Sequence, residues 1–297
     1  MRYASASAFR QALEARLVAL SSSRGSSLVR LRKEVAFDRL LTRLFVAAPG
    51  RWILKGGLAF DYRFGTRARS TKDMDLVGAP GEEAATSDLL AAADVDMDDY
   101  FSFSIERTAK LDQLLEGAAV RYHVRADLGG RRFEDFVVDI GFDIPSDWEP
   151  EVLIGPDLLS FAEIEPVAAP SLPLELQVAE KVHAYTRGYG KQPVGSTRVK
   201  DIVDLALVAS TADLDAARLG RAIRETFQRR SDHDLPQTLP PPPGDWEVPF
   251  RRLAGEIELM ADLDSGHELA ARLLDPILSG NVTAGRWDAA GQVWLAD

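Results

Sequence analysis

Apolar residues recur at helical spacing from the start of the chain, with Phe9, Leu13, Leu17 and Leu20 on one face. Ser7 is the expected cap of that helix, which runs to about residue 20 and ends in a Ser/Gly break over residues 21–27. Ser27 caps a second helix to about residue 46. Its inward positions are Leu28, Leu31, Val35, Leu41 and Phe45, and Arg30, Lys33, Arg39 and Arg43 are expected to face solvent. Beyond Pro49-Gly50 the pattern shortens. Residues 52–54 read as a strand, Gly56-Gly57 as a turn, residues 58–64 as a short helix and residues 74–77 as a second strand. Residues 84–93 form a helix and the acidic stretch 94–99 a loop. Residues 101–105, 120–126 and 133–142 are strands, the last two joined by a Gly129-Gly130 hairpin turn.

After a Pro/Ala linker at residues 166–173 the periodicity becomes helical, over residues 174–185, 199–209, 214–229, 246–263 and 267–278. The four prolines at 240–243 are a rigid spacer. The pattern predicts an α+β (α/β) chain: a mixed-sheet domain with N-terminal helices over residues 1–165, then a helical domain over 166–297.

Composition changes this picture in two places. The chain has no cysteine, which removes disulfides and thiolate metal sites, and no apolar run approaches a membrane span, so a cytoplasmic protein with no membrane partner is expected. The net charge of −11 argues against nucleic acid, yet residues 1–72 carry fifteen Lys and Arg against four acids. A basic segment that ends at a carboxylate pair suits a polyanionic substrate.

That carboxylate pair is Asp73 and Asp75. Residues two apart on a strand share a face, so both project together while Met74 and Leu76 point inward. Two carboxylates on one strand face hold a divalent cation, and the upstream Gly56-Gly57 pair, opening a helix, seats a triphosphate. A third metal-binding acid is expected from a neighbouring strand: Asp139, which interrupts the apolar run 136–140, or nearby Asp143. In the helical half, Lys181 is a point charge for the triphosphate, and its helix has no room for both Lys181 and His183 on the buried stripe. Asp201 either orients Lys181 or takes a proton from the acceptor, and Asp204 shares its helix face. The four histidines lack metal-ligand spacing.

Four motifs, in this order, resemble the AbiEii/AbiGii toxin family of nucleotidyltransferases: Lys55-Gly56-Gly57, Thr71-Lys72-Asp73-Met74-Asp75, Ala179-Glu180-Lys181-Val182-His183-Ala184 and Lys200-Asp201-Ile202-Val203-Asp204-Leu205. Within that family the chain resembles the MenT toxins. The resemblance implies a polymerase-β-like nucleotidyltransferase domain followed by a helical C-terminal domain, in a toxin of a type IV toxin–antitoxin system with an AbiEi-type antitoxin. It also implies transfer of an NMP from an NTP to RNA, foremost the tRNA 3′ end. Residue by residue, Thr71 and Asp73 match the family's S/T-x-D pair, Lys181 its helix lysine and Asp201 its later aspartate; Asp139 belongs to no matched motif. The expected site is therefore Asp73, Asp75, Lys181 and Asp201 for catalysis, Gly56, Gly57, Thr71, Lys72 and Lys181 for the nucleotide, and Asp73, Asp75 and Asp139 for Mg²⁺ or Mn²⁺. The competing readings are transfer to a small molecule or protein hydroxyl, and a weakly catalytic nucleotide-binding module that acts by protein contact.

Overall fold

The computed structural model describes residues 2–78, 80–108, 120–143, 147–187, 198–257, 259 and 262–296. By packing, the chain divides into one unit of Met1–Thr66 and Ser70–Leu172 and a second of Arg67–Arg69 and Pro173–Asp297.

In the first unit, helix α1 spans Ala6–Arg24 and α2 Leu28–Ala47. The cap of α1 is Ser5 rather than Ser7, its Oγ accepting from the Ala8 N–H, whereas Ser27 caps α2 as expected. Strand β1 (Trp52–Lys55) leads directly into α3 (Gly56–Phe64), so the two glycines are the first helical residues and not a separate turn. Then follow β2 (Asp73–Gly78), α4 (Glu82–Asp94), β3 (Phe101–Arg107), β4 (Val120–Leu128), β5 (Arg131–Gly141), β6 (Glu151–Ile154) and β7 (Ala168–Ser171). The strands form one mixed sheet in the order β3-β4-β5-β2-β1-β7-β6. Strand β2 runs parallel to β5 and β1 parallel to β7, and the other pairs are antiparallel. Gly129 and Gly130, with φ of +59° and +70°, make the tight turn between β4 and β5.

The Pro/Ala stretch at residues 166–173 is not a linker, since it contains β7. It lies inside the sheet, held to β1 by the Leu172 N–H and the Ser171 Oγ, which both donate to the Leu54 carbonyl. A four-residue strand containing Pro170 shows too little alternation to be read from the chain.

One face of the sheet packs with α1, α2 and α4 around a single core that includes Phe9, Leu13, Phe37, Leu40, Trp52, Leu54, Met74, Leu76, Leu89, Phe136, Val138 and Ile140. Helix α2 is enclosed on nearly every side, which overturns the expectation that Arg39 and Arg43 face solvent: they are 2% and 0% exposed. The Arg43 guanidinium donates to both oxygens of Asp99 (2.9 and 2.5 Å), and Arg39 to Asp38 (2.6 Å) and Asp99 (3.5 Å). The acidic loop at 94–99 thus supplies the counter-charge of α2.

In the second unit, α5 (Leu174–Thr186), α6 (Val199–Thr211), α7 (Ala216–Arg230), α8 (Glu247–Gly255) and α9 (Leu263–Leu278) carry the helical pattern. Helix α5 packs on α6 and α7, and α6 on α8 and α9. The predicted helix over 246–263 is not continuous: α8 ends at Gly255, α9 opens at Leu263 behind the Asp262 cap, and residues 258, 260 and 261 lie outside the described residues. A small sheet, β8 (Leu214–Asp215), β9 (Arg286–Asp288) and β10 (Val293–Leu295), escaped the pattern because each strand is two or three residues long. It carries the buried Trp287, whose Nε1 donates to the Ala209 carbonyl at 2.9 Å. Among the described residues no helix is long and apolar enough to cross a membrane.

Breaking a buried ion pair from one side leaves an uncompensated charge. Asp99→Asn is expected to destabilise the protein by about 3 kcal/mol in urea unfolding, by stranding Arg43. The exposed Asp94→Asn should stay within about 0.5 kcal/mol of wild type.

Candidate active site

The face of the sheet opposite the core carries the carboxylates. Met74 and Leu76 are fully buried, and Asp73 and Asp75 alternate onto the other side, partly exposed. In register, Lys55 of β1 lies beside Asp75, Asp75 beside Asp139 of β5, and Asp139 beside Arg121 of β4. The result is one cross-strand row in the order Lys55, Asp75, Asp139, Arg121. Neighbouring carboxylates in such a row repel, and a cation at each end offsets that repulsion. Arg121 does so bidentately, with Nε and Nη2 each 2.7 Å from an oxygen of Asp139.

The expected third acid is therefore adjacent to Asp75, but both its oxygens accept from Arg121. Among the described residues no group of three His, Asp or Glu side chains converges to hold an ion. Asp143 is exposed, beyond the end of β5. The acids that fit a cation are Asp73 and Asp75, since Mg²⁺ commonly takes one or two protein carboxylates and completes its shell with substrate phosphate and water.

The glycine pair has a reason beyond helix geometry. A Cβ on Gly56 would lie 2.0 Å from Asp75 Oδ2, and one on Gly57 would lie 2.8 Å from Thr71 Oγ1. Gly56 also has φ of +67°. Asp75 and Thr71 thus pack against the opening turn of α3, whose N–H groups and dipole favour negative charge. The Thr71 hydroxyl donates to the Asp73 carbonyl at 3.1 Å, fixing the approach to β2, and Lys72 is exposed.

Part of the basic N-terminal segment is matched by acids within the first unit. Arg30 pairs with Glu34 and Asp61, Arg32 with Glu14, Lys33 with Glu134, Arg51 with Asp88 and Arg63 with Glu151. Together with the pairs of Arg39 and Arg43 to Asp99, this removes much of the expected polyanion-facing patch.

In the helical unit, α5 and α6 bring Lys181, Asp201 and Asp204 together with Arg69 and Arg198. Lys181 Nζ is 2.5 Å from Asp204 and 3.6 Å from Asp201, Arg69 is bidentate to Asp204, and Arg198 donates to Asp201 at 3.1 Å. Burial pushes the Asp204 carboxyl up, and Arg69 and Lys181 more than reverse that, holding it below the usual carboxylate range. Asp204 and Arg69 went unread as site residues. The Asp201/Asp204 spacing was a visible signal, whereas an arginine 135 positions away in sequence was not.

Lys181 and His183 are both buried, against the expectation that only one would be, because α6 and α7 flank α5. His183 and His233, far apart in sequence, meet with ring centroids 4.6 Å apart and planes tilted by 48°, and Phe227 packs against both. Burial, Arg230 and His233 lower the His183 pKa to about 4, with nearby Asp232 opposing and Arg187 reinforcing the shift.

A mixed sheet bearing a D-x-D pair opposite a glycine-opened helix, together with a helical unit containing a buried Lys–Asp cluster, has the architecture of a nucleotidyltransferase. The sequence matches the family described as nucleotidyl transferase AbiEii toxin, type IV TA system, over residues 39–287, and the chain belongs to that family. MenT4, a nucleotidyltransferase toxin from Mycobacterium tuberculosis H37Rv, shares the fold with a TM-score of 0.56 at 18% identity, over 90% of this chain and 98% of its own. JHP933 from Helicobacter pylori aligns over 84% of this chain and 93% of its own at 14% identity, with a TM-score of 0.49. A comparison with curated proteins finds no match. Family membership implies an NTP substrate and a cognate antitoxin.

Two outcomes follow from this geometry. Gly56→Ala should lower nucleotidyl transfer by about 100-fold through displacement of Asp75. Gly50→Ala, with a similar φ but nothing within 4 Å, should leave transfer unchanged. His183 is neutral when folded and has an ordinary pKa when unfolded, so the unfolded chain binds the extra proton below pH 6.5 and stability falls as pH drops from 6.5 towards 4. Between pH 7 and pH 5, urea unfolding of the wild type should lose about 2 kcal/mol more than that of His183→Phe.

Proposed function

We propose that this protein transfers the NMP of a nucleoside triphosphate to a hydroxyl of an RNA acceptor, with the tRNA 3′ end as the acceptor, and so acts as a cytoplasmic toxin on translation under the control of an AbiEi-type antitoxin. The observation that carries the reading is the placement of Asp73 and Asp75 on one face of β2, with Asp75 against the opening of α3, in a chain of the AbiEii family. In the transfer, the acceptor oxygen bonds to the α-phosphorus, the bond from that phosphorus to pyrophosphate breaks, and the acceptor proton leaves to a carboxylate. Asp73 and Asp75 would hold the metal, and Gly56, Gly57, Thr71 and Lys72 would flank the nucleotide. Lys181 meets the triphosphate, and Asp201 receives the acceptor proton. Mg²⁺ or Mn²⁺, when bound, neutralises triphosphate charge and polarises the phosphoryl group. Asp139 stands beside Asp75 on the neighbouring strand, its charge answered by Arg121.

The ion-paired state of Arg30, Arg32, Lys33, Arg39 and Arg43 favours a second reading, in which the acceptor is a small molecule or a protein hydroxyl. The presence of both strand aspartates argues against a merely nucleotide-binding module. Incubation with each labelled NTP, Mg²⁺ and total tRNA should give label on tRNA alone, and Asp73→Ala should abolish it without lowering the melting temperature. Label on protein or small molecules would establish the second reading. Near wild-type transfer by Asp73→Ala would end the metal-site assignment.

A further inference from the structure

We propose that Asp204 is the positioning residue for Lys181, locking the lysine ammonium and the Arg69 guanidinium into one buried group and leaving Asp201 as the carboxylate that meets substrate. This deepens, and rests on, the nucleotidyltransferase reading above. Asp201 and Asp204 lie three apart on α6 and so face the same way, yet their surroundings differ. The Asp204 side chain is 1% exposed and saturated by cations: Arg69 Nε reaches Oδ1 at 3.0 Å, and Arg69 Nη2 and Lys181 Nζ reach Oδ2 at 2.9 and 2.5 Å. The Asp201 side chain is 11% exposed, accepts from Arg198 at 3.1 Å, and stands 3.6 Å from Lys181, beyond the range of a charge-assisted hydrogen bond.

A lysine on its flexible four-carbon stem is a poor fixed charge unless something pins it. The Asp204 oxygen that Lys181 contacts is oriented by the rigid fork of Arg69, so the position of the ammonium is set by three groups and not by its own rotamers. A buried carboxylate between two cations holds both in place, and a phosphate arriving at Lys181 then meets an ammonium whose freedom is already lost. Asp204 acts through Lys181 and is not itself a catalytic residue.

The test uses the full chain as wild type, Asp204→Asn, Asp204→Glu, Asp201→Asn, Lys181→Ala and the Asp204→Asn/Lys181→Ala double variant, each below its melting temperature. The first readout is acylation of Lys181 by an N-hydroxysuccinimide ester, followed by peptide mass spectrometry, and needs no activity. Asp204→Asn should speed labelling about tenfold, Asp204→Glu by less, and Asp201→Asn by under about twofold. The second is transfer from labelled NTP. Asp204→Asn should raise the KM for NTP about tenfold, but add less than about twofold to the defect of Lys181→Ala. If Asp204→Asn does not fold, Asp204→Glu carries both readouts, since it keeps the charge and moves the carboxylate by one methylene. Unchanged Lys181 labelling on altering Asp204, equal labelling in the Asp201 and Asp204 variants, or fully additive kinetic losses would each overturn the proposal. A wild type that transfers nothing would instead defeat the enzyme reading, and the labelling readout would still decide the role of Asp204.

Discussion

The row Lys55, Asp75, Asp139, Arg121 is the constraint around which the first unit is arranged. Four neighbouring strands, β1, β2, β5 and β4, each contribute one charged residue at the same level of the sheet, so the register of all four is tied to a single charge pattern. Two carboxylates side by side would be costly in a sheet. Lys55 and Arg121 at the ends make them tolerable, and the absence of a side chain at Gly56 gives Asp75 room beside the opening of α3. A one-residue slip of β2 would send Asp73 and Asp75 into the core and bring Met74 and Leu76 out.

Buried charge recurs through the rest of the chain. Helix α2 sinks Arg39 and Arg43 onto Asp38 and Asp99, and α6 sinks Asp204 between Arg69 and Lys181. Such groups add little net stability against a well-packed apolar alternative, but they fix geometry, because only one arrangement satisfies every partner. In α2 that fixes the acidic loop ahead of β3. In α6 it fixes a lysine. Of the basic N-terminal segment, Arg30, Arg32, Lys33, Arg39, Arg43, Arg51 and Arg63 are answered by acids of their own unit.

Much of this was legible in the chain. The strand alternation that separates Asp73 and Asp75 from Met74 and Leu76 and the Gly129-Gly130 hairpin follow from local geometry, and local geometry is what a sequence displays. The four ordered motifs were enough to indicate the family. What was hidden depended on partners distant in sequence. Arg39 and Arg43 read as a solvated stripe because their counter-ion Asp99 lies in a loop about 60 residues on. The strand β7 was masked by Pro170 and its short length. Asp201 was preferred to Asp204 as the partner of Lys181, although helix spacing presents both to the same side and only packing separates a saturated carboxylate from a more exposed one. The glycines were read for what they would let a ligand do, when the structure also requires them for Asp75 and Thr71.

The central claim is that Asp73 and Asp75 form the metal-nucleotide face of this enzyme. Titration of Mn²⁺ in the presence of a non-hydrolysable NTP, followed by loss of the free-ion electron paramagnetic resonance signal, tests it most directly. Wild type should bind the ion together with the nucleotide, and Asp73→Asn/Asp75→Asn should bind neither above background while retaining its fold by circular dichroism. Equal Mn²⁺ binding by the folded double variant would contradict the account.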